Sequence, residues 1–220
     1  MTMPTRLLIC DDHPLFRTGI KAVLSHAEGI EVVGEVGDGR SAVEEALRLR
    51  PDVVLMDMEL PELSGLDATR RIHDAEPGIR VLVLTLYGED ELVARCLEAG
   101  ASGYVLKDVP PDQLLFAIQA VRLGGRYLSP GPLATVVDGW VHGGGRPRTR
   151  YDLLTARERE VLKLLAEGHS VKAVAVRLGV GIKTVDAHKT RLMSKLDVHD
   201  RAELIRYALQ NQLIRLPVLE

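Results

Sequence analysis

The chain has 220 residues, of which 46% are hydrophobic and 27% charged, a composition typical of globular domains rather than disordered tails. Its apolar runs are too short for a membrane-spanning helix, and its two cysteines are too few for a disulfide-built secreted fold or a zinc finger. The N-terminal segment MTMPTRLLICDDH reaches two acidic residues, Asp11 and Asp12, before any apolar stretch long enough for a signal peptide develops. We therefore expect a cytoplasmic protein with no membrane partner.

The net charge of −3 hides a difference between the two halves of the chain. Residues 1–124 hold 12 basic and 21 acidic residues, a net charge of −9, whereas residues 125–220 hold 16 and 10, a net charge of +6. This split indicates two domains with different partners. A basic half that clusters its charge on one helix favours a polyanion as the partner.

Short apolar runs alternate with amphipathic segments over residues 1–123. The predicted strands are 6–10, 31–36, 53–56, 80–85 and 103–106. The predicted helices are about 14–27, 41–49, 65–75, 90–99 and 111–123. Repeated strand–helix units predict an α/β domain with a five-stranded, doubly wound parallel sheet of strand order 2-1-3-4-5.

Glycine and proline interrupt the pattern over residues 124–150, which predicts a linker, with a short helix near 133–141. The remaining segment, 151–214, is predicted to be an all-α domain. Its four short helices are expected at about 156–167, 171–178, 182–196 and 201–210.

Acidic side chains follow two strands that are neighbours in this strand order. Asp11 and Asp12 come directly after the first strand, and Asp57 follows the third. Ligands of doubly wound sheets bind at the carboxyl ends of the strands, where the strand order reverses, so these carboxylates should converge in one pocket. A cation relieves such crowding, and hard oxygen ligands favour Mg²⁺.

A hydroxyl and an ammonium group are expected to face the same pocket. Thr85 ends the fourth strand and Lys107 follows the fifth. A lone aspartate after a strand is usually a helix N-cap, and a lone lysine is usually a solvated charge. Suitable residues at the ends of four strands instead favour an oxyanion that is bound at, or transferred to, Asp57.

Four segments resemble the receiver domain of response regulators: CDDHPLFR at 10–17, VVLMDMELPELSGLD at 53–67, VLVLTLYGEDE at 81–91 and GASGYVLKD at 100–108. The resemblance implies that Asp57 accepts phosphate from the phosphohistidine of a sensor histidine kinase. It also implies that Asp11, Asp12, Asp57 and the backbone carbonyl of Glu59 hold Mg²⁺. Thr85 and Lys107 match the residues that bind the phosphoryl group, and Tyr104 matches an aromatic switch residue.

The C-terminal segment resembles the NarL/FixJ, or LuxR-type, helix-turn-helix domain over about 60 residues. Independently of this resemblance, Thr155 and Glu158 have the spacing of a capping box at a helix N-terminus. A helical projection of 182–196 at 100° per residue predicts one core-facing sector. That sector consists of Ile182, Val185, Leu192, Met193 and Leu196.

The opposite face of this helix is small, polar and basic, as a helix that enters the DNA major groove requires. The candidate phosphate contacts are Lys183, Thr184, Lys189 and Arg191, and the candidate base contacts are Ala187 and Thr190. Asp186 lies between the two faces, where it either accepts a hydrogen bond from cytosine N4 or screens the neighbouring lysines. A solvated amphipathic helix is the simpler alternative.

These observations predict a two-component response regulator that acts as a phosphorylation-dependent transcription factor and is not an enzyme. Its expected partners are a sensor histidine kinase, double-stranded promoter DNA and, after activation, a second copy of the chain. One alternative is a Mg²⁺-dependent phosphohydrolase that forms an aspartyl-phosphate, but no cap domain is evident. Another is a DNA-binding regulator with a vestigial receiver, against which the intact acidic pocket argues.

Overall fold

A computed structural model describes residues 3–86, 90–129, 150–211 and 213–214 of the chain. The chain divides into two compact units, Met1–Arg146 and Pro147–Glu220. No helix in the described part of the chain has the length and apolar content needed to span a bilayer. The short helix predicted near 133–141 lies outside the described residues.

The first unit is built on a parallel sheet with the order β2-β1-β3-β4-β5-β6. The strands are β1 Thr5–Cys10, β2 Ile30–Val36, β3 Val53–Asp57, β4 Arg80–Thr85, β5 Gly103–Leu106 and β6 Tyr127–Leu128. The helices are α1 Pro14–Ser25, α2 Gly39–Leu49, α3 Gly65–Ala75, α4 Asp90–Glu98 and α5 Pro111–Arg122. The predicted doubly wound fold is confirmed.

The sixth strand lies within residues 124–150, which the sequence predicts to be a linker. β6 extends the sheet at its β5 edge, where Tyr127 pairs with Gly103 and Leu128 with Tyr104. A strand of two residues is too short to give a hydrophobic period, so its pairing with β5 is not visible in the sequence.

The central strands explain why the acidic residues are brought together. All five residues of β3 are buried, as expected for a parallel strand covered by helices on both faces. β1 and β3 are paired in register, and the last such pair is Cys10 with Met56. The residues that come next, Asp11 and Asp57, therefore lie side by side at the carboxyl edge of the sheet.

The second unit is helical among its described residues. A 3₁₀ turn, Tyr151–Leu153, precedes α6 Ala156–Ala166, α7 Val171–Arg177, α8 Ile182–Leu196 and α9 Arg201–Gln210. The predicted capping box is present at α6: the Thr155 hydroxyl accepts from the Glu158 N–H, and the Glu158 carboxylate accepts from the Thr155 N–H. Gly179 has a φ of +62°, which lets the chain turn between α7 and α8.

Candidate functional site

The acidic residues converge at the carboxyl edge of the sheet, as predicted. Asp11 and Asp57 are almost fully buried, with 2% and 1% exposure, and Asp12 is partly exposed. Asp11, Asp12, His13 and Asp57 each offer one ligand atom, and these four atoms all lie within 4.8 Å of one another. We call these four residues the acidic pocket. No other group of three or more such side chains close enough to hold a metal ion occurs among the described residues.

Lys107 neutralises part of the charge of the acidic pocket. Its Nζ lies 2.6 Å from Oδ2 of Asp11 and 2.8 Å from Oδ2 of Asp57, and its side chain is 6% exposed. Burial lowers the pKa of Lys107, but the charge of Asp57 and the hydrogen bonds to both carboxylates outweigh it, so the pKa is raised. Lys107 is therefore an ammonium ion that bridges two buried carboxylates.

Two further contacts position Lys107. Its backbone N–H donates to the carbonyl of Thr85 at 2.7 Å, which ties the end of β5 to the end of β4. Its Nζ lies 4.6 Å from the centre of the Phe16 ring, within the range of a cation–π contact. The ammonium group is thus held by α1 as well as by the two carboxylates.

The loop after β3 packs tightly around Asp57. The Glu59 N–H donates to Oδ1 of Asp57 at 3.3 Å, and Glu59 is itself buried. At the start of α3, the Gly65 N–H donates to the Met58 carbonyl at 3.0 Å, and a side chain at Gly65 would collide with the Asp57 backbone. The glycine therefore allows α3 to begin directly against the end of β3.

Thr85 and Tyr104 lie in the strands on the other side of β3 from β1. Thr85 is the last residue of β4, one position beyond Leu84, which pairs with Asp57. Tyr104 lies in β5, pairs with Val83 and is fully buried. Thr85 therefore ends its strand beside Asp57, whereas Tyr104 lies deeper in the sheet.

His13 is a member of the acidic pocket that the sequence analysis does not predict. Its backbone N–H donates to Oδ1 of Asp11 at 2.7 Å. Its Nδ1 lies 2.6 Å from Oδ1 of Asp12 and 3.3 Å from Oδ1 of Asp11. The available signal is its position, since an imidazole that directly follows two acids of a strand end can fold back onto them.

The α8 face predicted to contact DNA is exposed. Val185, Leu192 and Leu196 are buried where α8 packs against α6 and α7. The exposed candidates are Lys183, Thr184, Asp186, Ala187, Thr190 and Arg191, and Lys189 is half-buried. The Thr190 hydroxyl donates to the Asp186 carbonyl at 3.0 Å.

Ile182 corrects the predicted core-facing sector, because it is 51% exposed. It is the first residue of α8, and the burial of the helix begins only at Val185. Helical periodicity gives the direction of a side chain but not the length over which neighbouring helices cover it. The prediction is therefore wrong at this end of the helix.

The fold and the acidic pocket define a receiver domain, and sequence comparisons agree. Residues 7–119 match the family described as "Response regulator receiver domain" and residues 152–208 match "Bacterial regulatory proteins, luxR family". The chain belongs to the response regulators that join these two domains. The members of this family are DNA-binding regulators rather than enzymes, which decides against the phosphohydrolase alternative.

Individual relatives match this chain over nearly its whole length. The oxygen regulatory protein NreC of Staphylococcus carnosus (strain TM300) is 36% identical over 214 residues, covering 95% of this chain and 99% of NreC. The solved structure of ChrA, a response regulator in a heme-sensing two-component system, is 34% identical, covers 97% of this chain and 100% of its own, and has a TM-score of 0.51.

A second solved structure is RcsB from Salmonella enterica serovar Typhimurium, bound to promoter rprA in the presence of the phosphomimetic BeF3−. It is 27% identical and has a TM-score of 0.60. The match covers 93% of this chain and 98% of the RcsB chain.

Proposed function

We propose that Asp57 is the phosphoacceptor of this response regulator and that its phosphorylation controls DNA binding through α8. The observation that carries the proposal is the buried Asp57 carboxylate at the end of β3, 2.8 Å from the ammonium group of Lys107. The ammonium group of Lys107 is close enough to neutralise the negative charge of a phosphoryl group that is transferred to this carboxylate. The receiver function is assigned to residues 1–123 and DNA binding to 151–214, joined by 124–150.

The phosphodonor is the phosphohistidine of a sensor histidine kinase, the partner of receiver domains. A carboxylate oxygen of Asp57 forms a new bond to phosphorus as the phosphorus–nitrogen bond breaks, and the imidazole of the kinase leaves. Lys107 compensates the charge of the transferred group, and Thr85, at the adjoining strand end, donates a hydrogen bond to one of its oxygens.

The donor set of the pocket fits Mg²⁺. Asp11, Asp12 and Asp57 supply carboxylate oxygens, and the backbone carbonyl of Glu59 completes the proposed set. Bound Mg²⁺ supplies neutralisation of the charge on the transferred phosphoryl oxygens. Lys107 neutralises part of the charge of Asp11 and Asp57.

Thr85 and Tyr104 are proposed to carry the signal away from Asp57. A hydrogen bond from Thr85 to the phosphoryl group would pull the end of β4, and the Lys107 N–H already ties that end to β5. Tyr104 lies in β5 and pairs with β4, so its packing senses a shift of β4. Such repacking is a common way in which a local charge change alters a distant surface.

The exposed face of α8 is proposed to enter the major groove of double-stranded promoter DNA. Lys183, Thr184, Lys189 and Arg191 are assigned to phosphates, and Ala187 and Thr190 to base edges. Asp186 screens the neighbouring lysines. The phosphorylated form binds as a homodimer to two half-sites. Because the target is promoter DNA, we assign the protein to the cytoplasm.

Intact-mass spectrometry after incubation with acetyl phosphate and Mg²⁺ tests the acceptor assignment. The wild-type chain should gain the mass of one phosphoryl group, and Asp57→Asn should gain none. Asp74→Asn, which alters an exposed aspartate on α3, is the matched control and should behave as wild type. Phosphorylation of Asp57→Asn would refute the assignment, and an inert wild-type chain would favour the vestigial receiver.

A further inference from the structure

We propose that His13 provides a nitrogen ligand to the metal ion of the acidic pocket, so that this residue contributes more affinity for Co²⁺ and similar imidazole-preferring divalent ions than for Mg²⁺. This proposal rests on the proposed function, because it takes the acidic pocket to be a metal site. It adds a residue, and a class of metal ion, that the three-carboxylate set does not require.

The backbone holds His13 against the acidic pair. His13 is the N-cap of α1, with Pro14 as the first helical residue, and its N–H donates to Oδ1 of Asp11 at 2.7 Å. The same residue therefore reaches the pocket twice, through its N–H and through its ring. Core packing does not account for the position of the ring, because 51% of the side chain is exposed.

The spacing of the ring nitrogen suits a shared ion. Nδ1 of His13 lies 2.6 Å from Oδ1 of Asp12 and 3.3 Å from Oδ1 of Asp11. Neighbouring ligands of an octahedral ion with bonds of about 2.1 Å lie about 3 Å apart. The 3.3 Å separation is close to this value, and the 2.6 Å separation has the length of a hydrogen bond, so a bound ion would take the place of the proton shared by Nδ1 and Asp12.

Lys107 does not compete for the same oxygen atoms. Its ammonium group takes Oδ2 of Asp11 and Oδ2 of Asp57, whereas His13 approaches Oδ1 of Asp11 and Oδ1 of Asp12. An ion held by His13, the two Oδ1 atoms and Asp57 can therefore bind while Lys107 keeps its contacts. The pocket has a cation on one side and a place for a metal on the other.

The chemistry of the nitrogen sets the preferred ion. A site of carboxylate and carbonyl oxygens suits Mg²⁺, Ca²⁺ and Mn²⁺, whereas imidazole favours the later first-row metals. Adding one imidazole to hard oxygen ligands raises the affinity for Co²⁺ while doing little for Mg²⁺, which dehydrates reluctantly. Metal preference is therefore the property that separates a His13 ligand from a His13 that only orients Asp12.

Calorimetric titration of the untagged full-length chain with Co²⁺ and, separately, with Mg²⁺ tests the proposal. His13→Gln should weaken Co²⁺ binding at least about 10-fold and Mg²⁺ binding less than about 2-fold. His26→Gln is the matched control, because His26 lies at the other end of α1 with its Nδ1 2.7 Å from the Ala22 carbonyl. This control should change neither affinity.

Proton NMR of the Co²⁺ form gives a second readout that does not depend on affinity. The wild-type chain and His26→Gln should show a hyperfine-shifted imidazole N–H resonance that Mg²⁺ in excess removes, and His13→Gln should lack it. Persistence of this resonance in His13→Gln would overturn the proposal. So would equal weakening of Co²⁺ and Mg²⁺ binding, which is the result expected if His13 only positions Asp12.

Failure of the proposed function gives a different result. Asp57→Asn should weaken Mg²⁺ binding if the acidic pocket is the metal site. Unchanged Mg²⁺ affinity in Asp57→Asn would remove the basis for both proposals. Normal Mg²⁺ binding with unaltered Co²⁺ affinity in His13→Gln would remove only the role of His13.

Discussion

Nζ of Lys107 lies 2.8 Å from Oδ2 of Asp57, although 50 positions separate the two residues in the chain. The lysine follows β5 and the aspartate ends β3, and β4 lies between these strands in the sheet. The lysine side chain therefore reaches across the end of β4 to the carboxylate. The contact links the proposed phosphoacceptor to the strand that carries Tyr104.

Removing this ammonium group should destabilise the receiver domain. Lys107→Met leaves Asp11 and Asp57 buried next to each other without their shared cation, and the free energy of unfolding should fall by about 3 kcal/mol near neutral pH. Mg²⁺ should restore part of the loss, because it neutralises the same carboxylates. Urea denaturation with and without Mg²⁺ measures both effects.

Lys21→Met is the control for this experiment. Lys21 pairs with Glu35 at 2.7 Å, but both side chains are 41% exposed, and such surface pairs contribute little to stability. Equal destabilisation by the two substitutions would show that the buried ammonium group has no special role.

The sequence predicts the strand ends well because each strand is a short apolar run and the strands alternate with helices in a regular order. Apolar runs mark β1, β3 and β4, and the order of strand–helix units fixes which ends adjoin, so Asp11 and Asp57 are predicted in one pocket. The carboxylate oxygens that Lys107 selects depend on side-chain rotamers, and the folding back of His13 depends on the loop before α1. Neither leaves a periodic signal in the sequence.

The α8 face should contribute electrostatic affinity for DNA. Lys183→Ala and Arg191→Ala each remove one proposed phosphate contact, so each should weaken binding to different duplex sequences by similar factors. Each should also reduce the slope of log affinity against log salt concentration by about 1. Fluorescence anisotropy titrations at several salt concentrations measure both quantities.

Arg48→Ala is the charge-matched control for the α8 variants. Arg48 is an exposed residue of α2 that pairs with Glu45 in the receiver domain, so its loss should leave the salt slope unchanged. If Lys183→Ala and Arg191→Ala also left the salt slope unchanged, α8 would not be the DNA-contacting helix.

The burial pattern of α8 shows where a helical projection is reliable. Val185, Leu192 and Leu196 lie in the predicted sector and are buried, because α6 and α7 cover this length of the helix. Ile182 lies in the same sector but extends beyond that cover. Tertiary contact, which the sequence does not encode locally, decides where the buried face begins.

The stability of the DNA-binding domain should depend on the ionised form of Glu158. Burial raises the pKa of Glu158, but the hydrogen bonds from Lys195, at 2.6 Å, and Thr155 outweigh it, so the pKa is lowered on folding. This stabilisation is present above the pKa of the unfolded chain and is lost as the pH falls through the folded pKa.

Glu158→Gln should therefore lower the free energy of unfolding by about 1–2 kcal/mol at neutral pH, because a charged hydrogen bond to Lys195 is lost. The difference from wild type should shrink under acidic conditions. Chemical denaturation across pH measures it, with Glu44→Gln, which alters an exposed glutamate, as the control. A difference that is independent of pH would assign the effect to packing rather than to charge.

The coupling of Asp57 to DNA binding is tested most directly by the affinity of the full-length chain for duplex DNA that it enriches from a random library. Beryllofluoride with Mg²⁺ should tighten binding of the wild-type chain about 10-fold and leave Asp57→Asn unchanged. Equal affinity of the wild-type chain with and without the phosphoryl mimic would contradict the account.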